Sequence, residues 1–138
     1  MEILLVEDDL EDAGLTMEAL NKEQIQCRVS LVRDGEEAML FARQQGRYGR
    51  APRPDIVLLD MNLPKLNGRE VLALLKQDES LSRIPVVVLT ASHEHQEILE
   101  SENLHVESFL TKPVDLEAFI SVVRSLRKFL LADVILPQ

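Results

Sequence analysis

The chain holds a single cysteine, Cys27, so it can form no intrachain disulfide, and an oxidising destination is neither supported nor required. Cys27 reads as a small, buried or half-buried apolar residue. Also missing is any apolar run near the ~18 residues of a membrane span. The start, Met1, Glu2, Ile3, Leu4, Leu5, Val6 and then acid, lacks the basic residues and the roughly seven or more apolar residues of a signal peptide. These absences predict a cytoplasmic protein with no membrane partner. Positive charge is scarce: 15 Lys and Arg stand against 24 Asp and Glu, a net charge of −9. A phosphate backbone would be repelled by such a surface, which excludes direct nucleic-acid binding and favours protein partners and cations. There is no internal repeat and no low-complexity linker. A length of 138 residues gives room for one domain and not for a second. The expectation is a single domain over residues 1–138 with no output domain.

What is present is an alternation of short, branched apolar runs with stretches of helical period, the pattern of an α/β fold whose parallel sheet is wrapped by helices. Strands are predicted at Ile3 to Val6, Val29 to Val32, Ile56 to Leu59, Val86 to Leu89 and Ser108 to Leu110. Five helices are predicted between and after them. The first runs from Leu10 to about Lys22, with Leu10, Ala13, Met17 and Leu20 on one face. The second covers Gly35 to about Gln45, with Ala38, Phe41 and Ala42 inward, and the third Arg69 to Gln77 on a Val71, Leu72, Leu75 stripe. A short fourth is placed at Glu94 to Glu100, and Asp115 caps a long fifth through Phe119, Val123, Leu126 and Leu130. Gly46 to Pro54, GRYGRAPRP, is an irregular basic loop that reads as a solvated connection of turn formers.

The polar residues collect at the strand ends. In an open α/β sheet the ligand crevice lies outside the carboxyl ends of the strands. The first strand runs into Glu7 and Asp8, the third into Asp60, the fourth into Thr90, and the fifth stops just short of Thr111 and Lys112. Parallel strands place all of these on one edge, so three carboxylates, a hydroxyl and an ammonium group converge. Each alone reads more simply as a loop or surface residue, with Glu7 and Asp8 in a solvated turn beside Asp9 and Asp12. Close carboxylates repel one another unless a cation is present. Mg²⁺ prefers oxygen ligands and keeps several waters, which suits Asp8 and Asp60 directly and Glu7 through water. Phosphoryl transfer needs an in-line nucleophile and stabilisation of the equatorial oxygens; Asp60, the metal, Lys112 and Thr90 supply those parts.

Four motifs in this order resemble the receiver domains of bacterial response regulators: VEDD at Val6 to Asp9, LLDMNLPKLNG at Leu58 to Gly68, LTA at Leu89 to Ala91, and FLTKP at Phe109 to Pro113. The resemblance covers nearly the whole chain. It implies a flavodoxin-like, doubly wound five-stranded parallel sheet of order 2-1-3-4-5. It further implies that Asp60 accepts a phosphoryl group from a sensor histidine kinase, and that Glu7, Asp8, Asp60 and the Asn62 backbone carbonyl surround Mg²⁺ or Mn²⁺. Lys112 would pair with the phosphoryl group, and the peptide before Pro113 would be cis. Thr90 and Phe109 would form the switch, although Phe109 stands where many relatives carry Tyr and reads equally well as a core residue. The resemblance makes the chain a phosphoacceptor that assists its own Mg²⁺-dependent transfer, not an enzyme.

Within that family, the extended basic loop and the apolar tail (Phe129, Leu130, Leu131, Val134, Ile135, Leu136) resemble the small regulators that partner bacterial phytochromes. Such an apolar end predicts a homodimer through residues 115 to 138, with packing back on the chain's own sheet as the other reading. Two rival functions are a degenerate receiver that only binds proteins and an aspartyl-phosphate phosphatase. Phosphatases of the haloacid dehalogenase type need a second Asp two residues after the nucleophile, and position 62 is Asn. A flavodoxin would need a Ser/Thr/Gly-rich phosphate loop after the first strand, where this chain carries acids. His93, His95 and His105 read as solvated side chains without a role.

Overall fold

The computed structural model describes residues 1–21, 27–90, 106 and 108–126. Five strands, β1 (Glu2–Val6), β2 (Arg28–Val32), β3 (Ile56–Asp60), β4 (Val86–Thr90) and β5 (Ser108–Thr111), pair in parallel in the order β2-β1-β3-β4-β5. Four α-helices are found among the described residues: α1 (Leu10–Leu20), α2 (Gly35–Ala42), α3 (Gly68–Gln77) and α4 (Leu116–Ser125). The expected fourth helix, Glu94 to Glu100, lies outside the described residues, as do the expected ends of the first and last helices and the tail from position 127. This is the flavodoxin-like doubly wound arrangement.

Alternation along each strand divides the core into two layers, because successive side chains point to opposite faces. Leu4, Val6, Val57, Leu59, Val86 and Val88 meet α2 and α3 through Ala38, Met39, Phe41, Val71, Leu72 and Leu75. Ile3, Leu5, Ile56, Leu58, Val87 and Leu89 meet α1 and α4 through Ala13, Leu20, Leu116, Phe119 and Val123. β3 and β4 are buried over their whole lengths, as expected of central parallel strands covered on both sides. Each fully buried Leu, Ile or Phe contributes about 1.5–3 kcal/mol of transfer free energy.

Helix starts are set by Asx caps, which satisfy backbone N–H groups that have no partner within the helix. Asp9 accepts from Glu11 and Asp12, Asp34 from Glu37, and Asp115 from Ala118. Asn67 and Glu70 form a reciprocal capping box on α3. The caps of α1 and α2 start those helices directly beyond the carboxyl ends of β1 and β2, so the acids between them stay near the sheet edge, while a longer loop separates β3 from α3.

Two expectations are corrected. Leu10 does not join the core face of α1: it is 59% exposed, and Thr16 takes a buried place beside Ala13 and Leu20. Leu10 is the first helical residue and sits before the turn that touches the sheet. The basic loop is also more than a solvated connection, since Gly46–Tyr48 forms a 3₁₀ turn. Its Tyr48 ring packs on Phe41 with centroids 5.2 Å apart, and its hydroxyl donates to Glu37 Oε1 at 3.0 Å. Arg47 pairs with Glu37 and lies over the Tyr48 ring. The turn formers were visible in the sequence; the aromatic anchor was overlooked among the arginines.

Candidate functional site

Parallel pairing sets the register that builds the site. Val6 pairs with Leu59 and Asp60 with Leu89, so Glu7 and Asp60 leave adjacent strands at almost the same height. Thr90 pairs with Thr111, which places Lys112 one step beyond the edge, its backbone N–H donating to the Thr90 carbonyl at 3.0 Å. The Lys112–Pro113 peptide is cis.

The Lys112 ammonium group stands among three acids: Glu7 Oε2 at 2.7 Å, Asp12 Oδ2 at 3.1 Å and Asp60 Oδ2 at 3.4 Å. Glu7 is fully buried and Asp60 is only 6% exposed. The Glu7–Lys112 contact is an ion pair, and Glu7 Oε2 receives no hydrogen bond. Burial raises the Glu7 pKa to about 7, with the neighbouring Asp60 adding to the rise and Lys112 opposing it. For Lys112 burial is the largest single influence and disfavours its charge. Glu7, Asp60 and Asp12 together outweigh it and raise the pKa above the usual lysine value. A buried acid and a buried base thus hold each other at the end of the central strands.

The loop after β3 is shaped around the Asp60 backbone. The Asn62 N–H donates to Asp60 Oδ1 at 3.4 Å, turning the carboxylate toward the site. Gly68 N–H donates to the Met61 carbonyl at 3.1 Å, closing the loop on itself. A Cβ on Gly68 would stand 2.6 Å from both the Asp60 carbonyl oxygen and Met61 Cα, so any side chain there would displace the backbone that carries Asp60.

Of the residues singled out in the sequence, Glu7, Asp60 and Lys112 meet directly. Thr90 is buried at the end of β4. Asp8 turns aside and stays half exposed; Arg33 Nη2 lies 3.9 Å from its Oδ1 and donates to its carbonyl at 3.2 Å. Phe109 is half-buried and packs against the layer under α2 and α3. The three histidines lie outside the described residues. Two participants were overlooked: Arg33, and Asp12, which was placed in a solvated turn. Asp12 is the third residue of α1 and so faces back over the sheet edge, a consequence of helical period that its spacing from Asp9 already contained.

Oxygen donors from separate strand ends, one ammonium group and a nucleophile-bearing loop define a phosphoacceptor class of α/β protein. The chain belongs to the response regulator receiver domain family, whose profile matches residues 3–124. Receiver domains are phosphoacceptors in two-component signalling rather than enzymes that turn over a substrate. Among its relatives is response regulator Rcp1 of Synechocystis sp. strain PCC 6803, 47% identical over 135 residues that cover 98% of this chain and 92% of the relative. The crystal structure of the Mn²⁺-bound form of Rcp1 matches with a TM-score of 0.75 at 47% identity, over 99% of each chain. The phosphorylated cyanobacterial phytochrome response regulator RcpA matches with a TM-score of 0.76 at 46% identity, over 99% of this chain and 98% of that one. The bacteriophytochrome response regulator AtBRR matches with a TM-score of 0.84 at 42% identity, over 89% of each. No described helix is long and apolar enough to cross a membrane.

Proposed function

We propose that Asp60 is the phosphoacceptor of a single-domain regulator whose donor is a histidine kinase of the phytochrome class. The observation that carries this reading is the sharing of one buried ammonium group, Lys112, by Asp60 and Glu7 at the carboxyl ends of the central strands. An Asp60 carboxylate oxygen attacks phosphorus in line. The bond from phosphorus to the donor nitrogen or oxygen breaks, and its electron pair leaves with the donor. A carboxylate nucleophile needs no general base. Lys112 neutralises charge on the transferred group, and the Thr90 hydroxyl follows the phosphate and shifts Phe109.

The donor set fits a hard divalent cation. Glu7, Asp8, Asp60 and the Asn62 carbonyl offer oxygen alone, the donor type a hard cation prefers. No three carboxylates among the described residues form a ready cage, and Mg²⁺ needs only one or two beside its waters. Mg²⁺ or Mn²⁺ would be held by those four groups and would supply neutralisation of the phosphoryl oxygens. That Rcp1 has a Mn²⁺-bound form supports the assignment.

The phytochrome donor rests on what RcpA and AtBRR are. A homodimer through residues 115–138 belongs to the same reading, supported by half-buried Ile120 and Val122 on α4 and by the apolar tail sequence. Incubation with acetyl phosphate and Mg²⁺ followed by intact mass measurement tests the central step. One phosphoryl adduct on the wild type and none on Asp60→Asn is expected. No adduct on the wild type would leave a protein-binding module only.

A further inference from the structure

Lys112 is held from the side of α1 as well as from the sheet. Asp12 Oδ2 accepts from its Nζ at 3.1 Å across 100 residues of sequence, closer than Asp60 Oδ2 at 3.4 Å. The Asp12 side chain is 38% exposed and the Lys112 side chain 16%. The contact therefore sits at the mouth of the site, where solvent screens it only in part. We propose that Asp12 is a positioning residue for Lys112: it draws the ammonium group toward α1 and competes for it with a phosphoryl group on Asp60. The inference rests on Asp60 being the phosphoacceptor.

The chemistry of the competition is simple. An ammonium group carries one positive charge, and here three carboxylates stand within 3.4 Å of it. Glu7 is buried and can find no substitute for Lys112 in solvent, whereas Asp12 at the mouth can be rehydrated when it lets go. A phosphoryl group on Asp60 brings additional negative charge and three strong acceptors to within reach of the same nitrogen. The contact that yields is the most exposed one. Asp12 thus biases the domain toward its unphosphorylated state by the worth of a partly exposed ion pair.

The test uses the full chain with Mg²⁺ and beryllofluoride, a non-hydrolysable stand-in for the phosphoryl group, titrated by calorimetry. Asp12→Asn is expected to bind it about threefold to fivefold more tightly than the wild type, the size of one such ion pair relinquished. Asp12→Glu restores the wild-type affinity. Glu11→Gln removes the same charge from the same helical turn without touching Lys112, and is expected to change affinity by less than half as much. Equal effects of Asp12→Asn and Glu11→Gln would overturn the proposal by reducing it to net charge, and weaker or unchanged binding by Asp12→Asn would overturn it directly. Acetyl phosphate labelling of the wild type and of Asp60→Asn runs alongside. Labelling that depends on Asp60, with no tightening in Asp12→Asn, defeats the positioning role alone. Labelling independent of Asp60 defeats both.

Discussion

Glu7 and Lys112 form a buried ion pair, Oε2 to Nζ 2.7 Å, at the edge where β1 and β5 end on either side of β3 and β4. A buried pair is weak evidence for stability, because both charges lose their hydration. On the proposed function its role is placement: the pair keeps an ammonium group within 3.4 Å of the Asp60 carboxylate.

The first consequence concerns pH. A carboxyl whose folded pKa is raised to about 7 from an ordinary 4.5 costs nothing below pH 4.5, and destabilises progressively as pH rises to about 7. The wild type should therefore lose stability relative to Glu7→Gln across that window, by on the order of 3 kcal/mol, and hold a constant difference above it. Melting temperatures of the two proteins from pH 4.5 to 8.5 measure this. A difference independent of pH would show that burial does not raise the Glu7 pKa.

Mg²⁺ should act in the same window. A cation binds the ionised carboxylate and competes with the proton, so its stabilising effect should be larger at pH 8 than at pH 5.5. Thermal melts with and without MgCl₂ at both values check it, and Asp8→Asn together with Asp60→Asn should remove the gain.

Gly68 is expected to tolerate no side chain. Gly68→Ala pushes a methyl group into the Asp60 carbonyl and Met61 Cα, so a loss of about 1–3 kcal/mol is predicted from overpacking. Labelling by acetyl phosphate should slow even in samples shown to be folded by circular dichroism. Unchanged labelling would mean that the loop backbone does not position Asp60.

Asn67 starts α3 directly after that loop. Asn67→Ala removes the side-chain half of the capping box, the acceptor for the Glu70 N–H, and should lower stability by about 1 kcal/mol, read by urea denaturation, while Asn67→Asp should stay close to the wild type.

The sheet was legible because its strands are continuous apolar runs, and burial on both faces permits no other pattern at Ile56 to Leu59 or Val86 to Leu89. Parallel connectivity then carried Glu7, Asp60, Thr90 and Lys112 to one edge without any knowledge of side-chain direction. Direction is what the sequence left open. Asp8 and Asp12 are acids only four residues apart, yet α1 aims Asp12 at Lys112, while Asp8 meets Arg33 just beyond the end of β2. Leu10 was misplaced for a related reason: an apolar residue at the first helical position precedes the turn that packs. Tyr48 escaped notice because a single aromatic in an arginine-rich loop makes no periodic pattern, although its ring and hydroxyl anchor that loop to α2.

The most direct test of Asp60 as the phosphoacceptor is chemical trapping. Borohydride reduces an aspartyl phosphate to homoserine, and peptide mapping after labelling with acetyl phosphate and Mg²⁺ locates the reduced residue. Reduction confined to position 60 is predicted, with none when Mg²⁺ is chelated. Reduction at Asp8, Asp9 or Asp12 instead, or none in a protein that labels by intact mass, would contradict it.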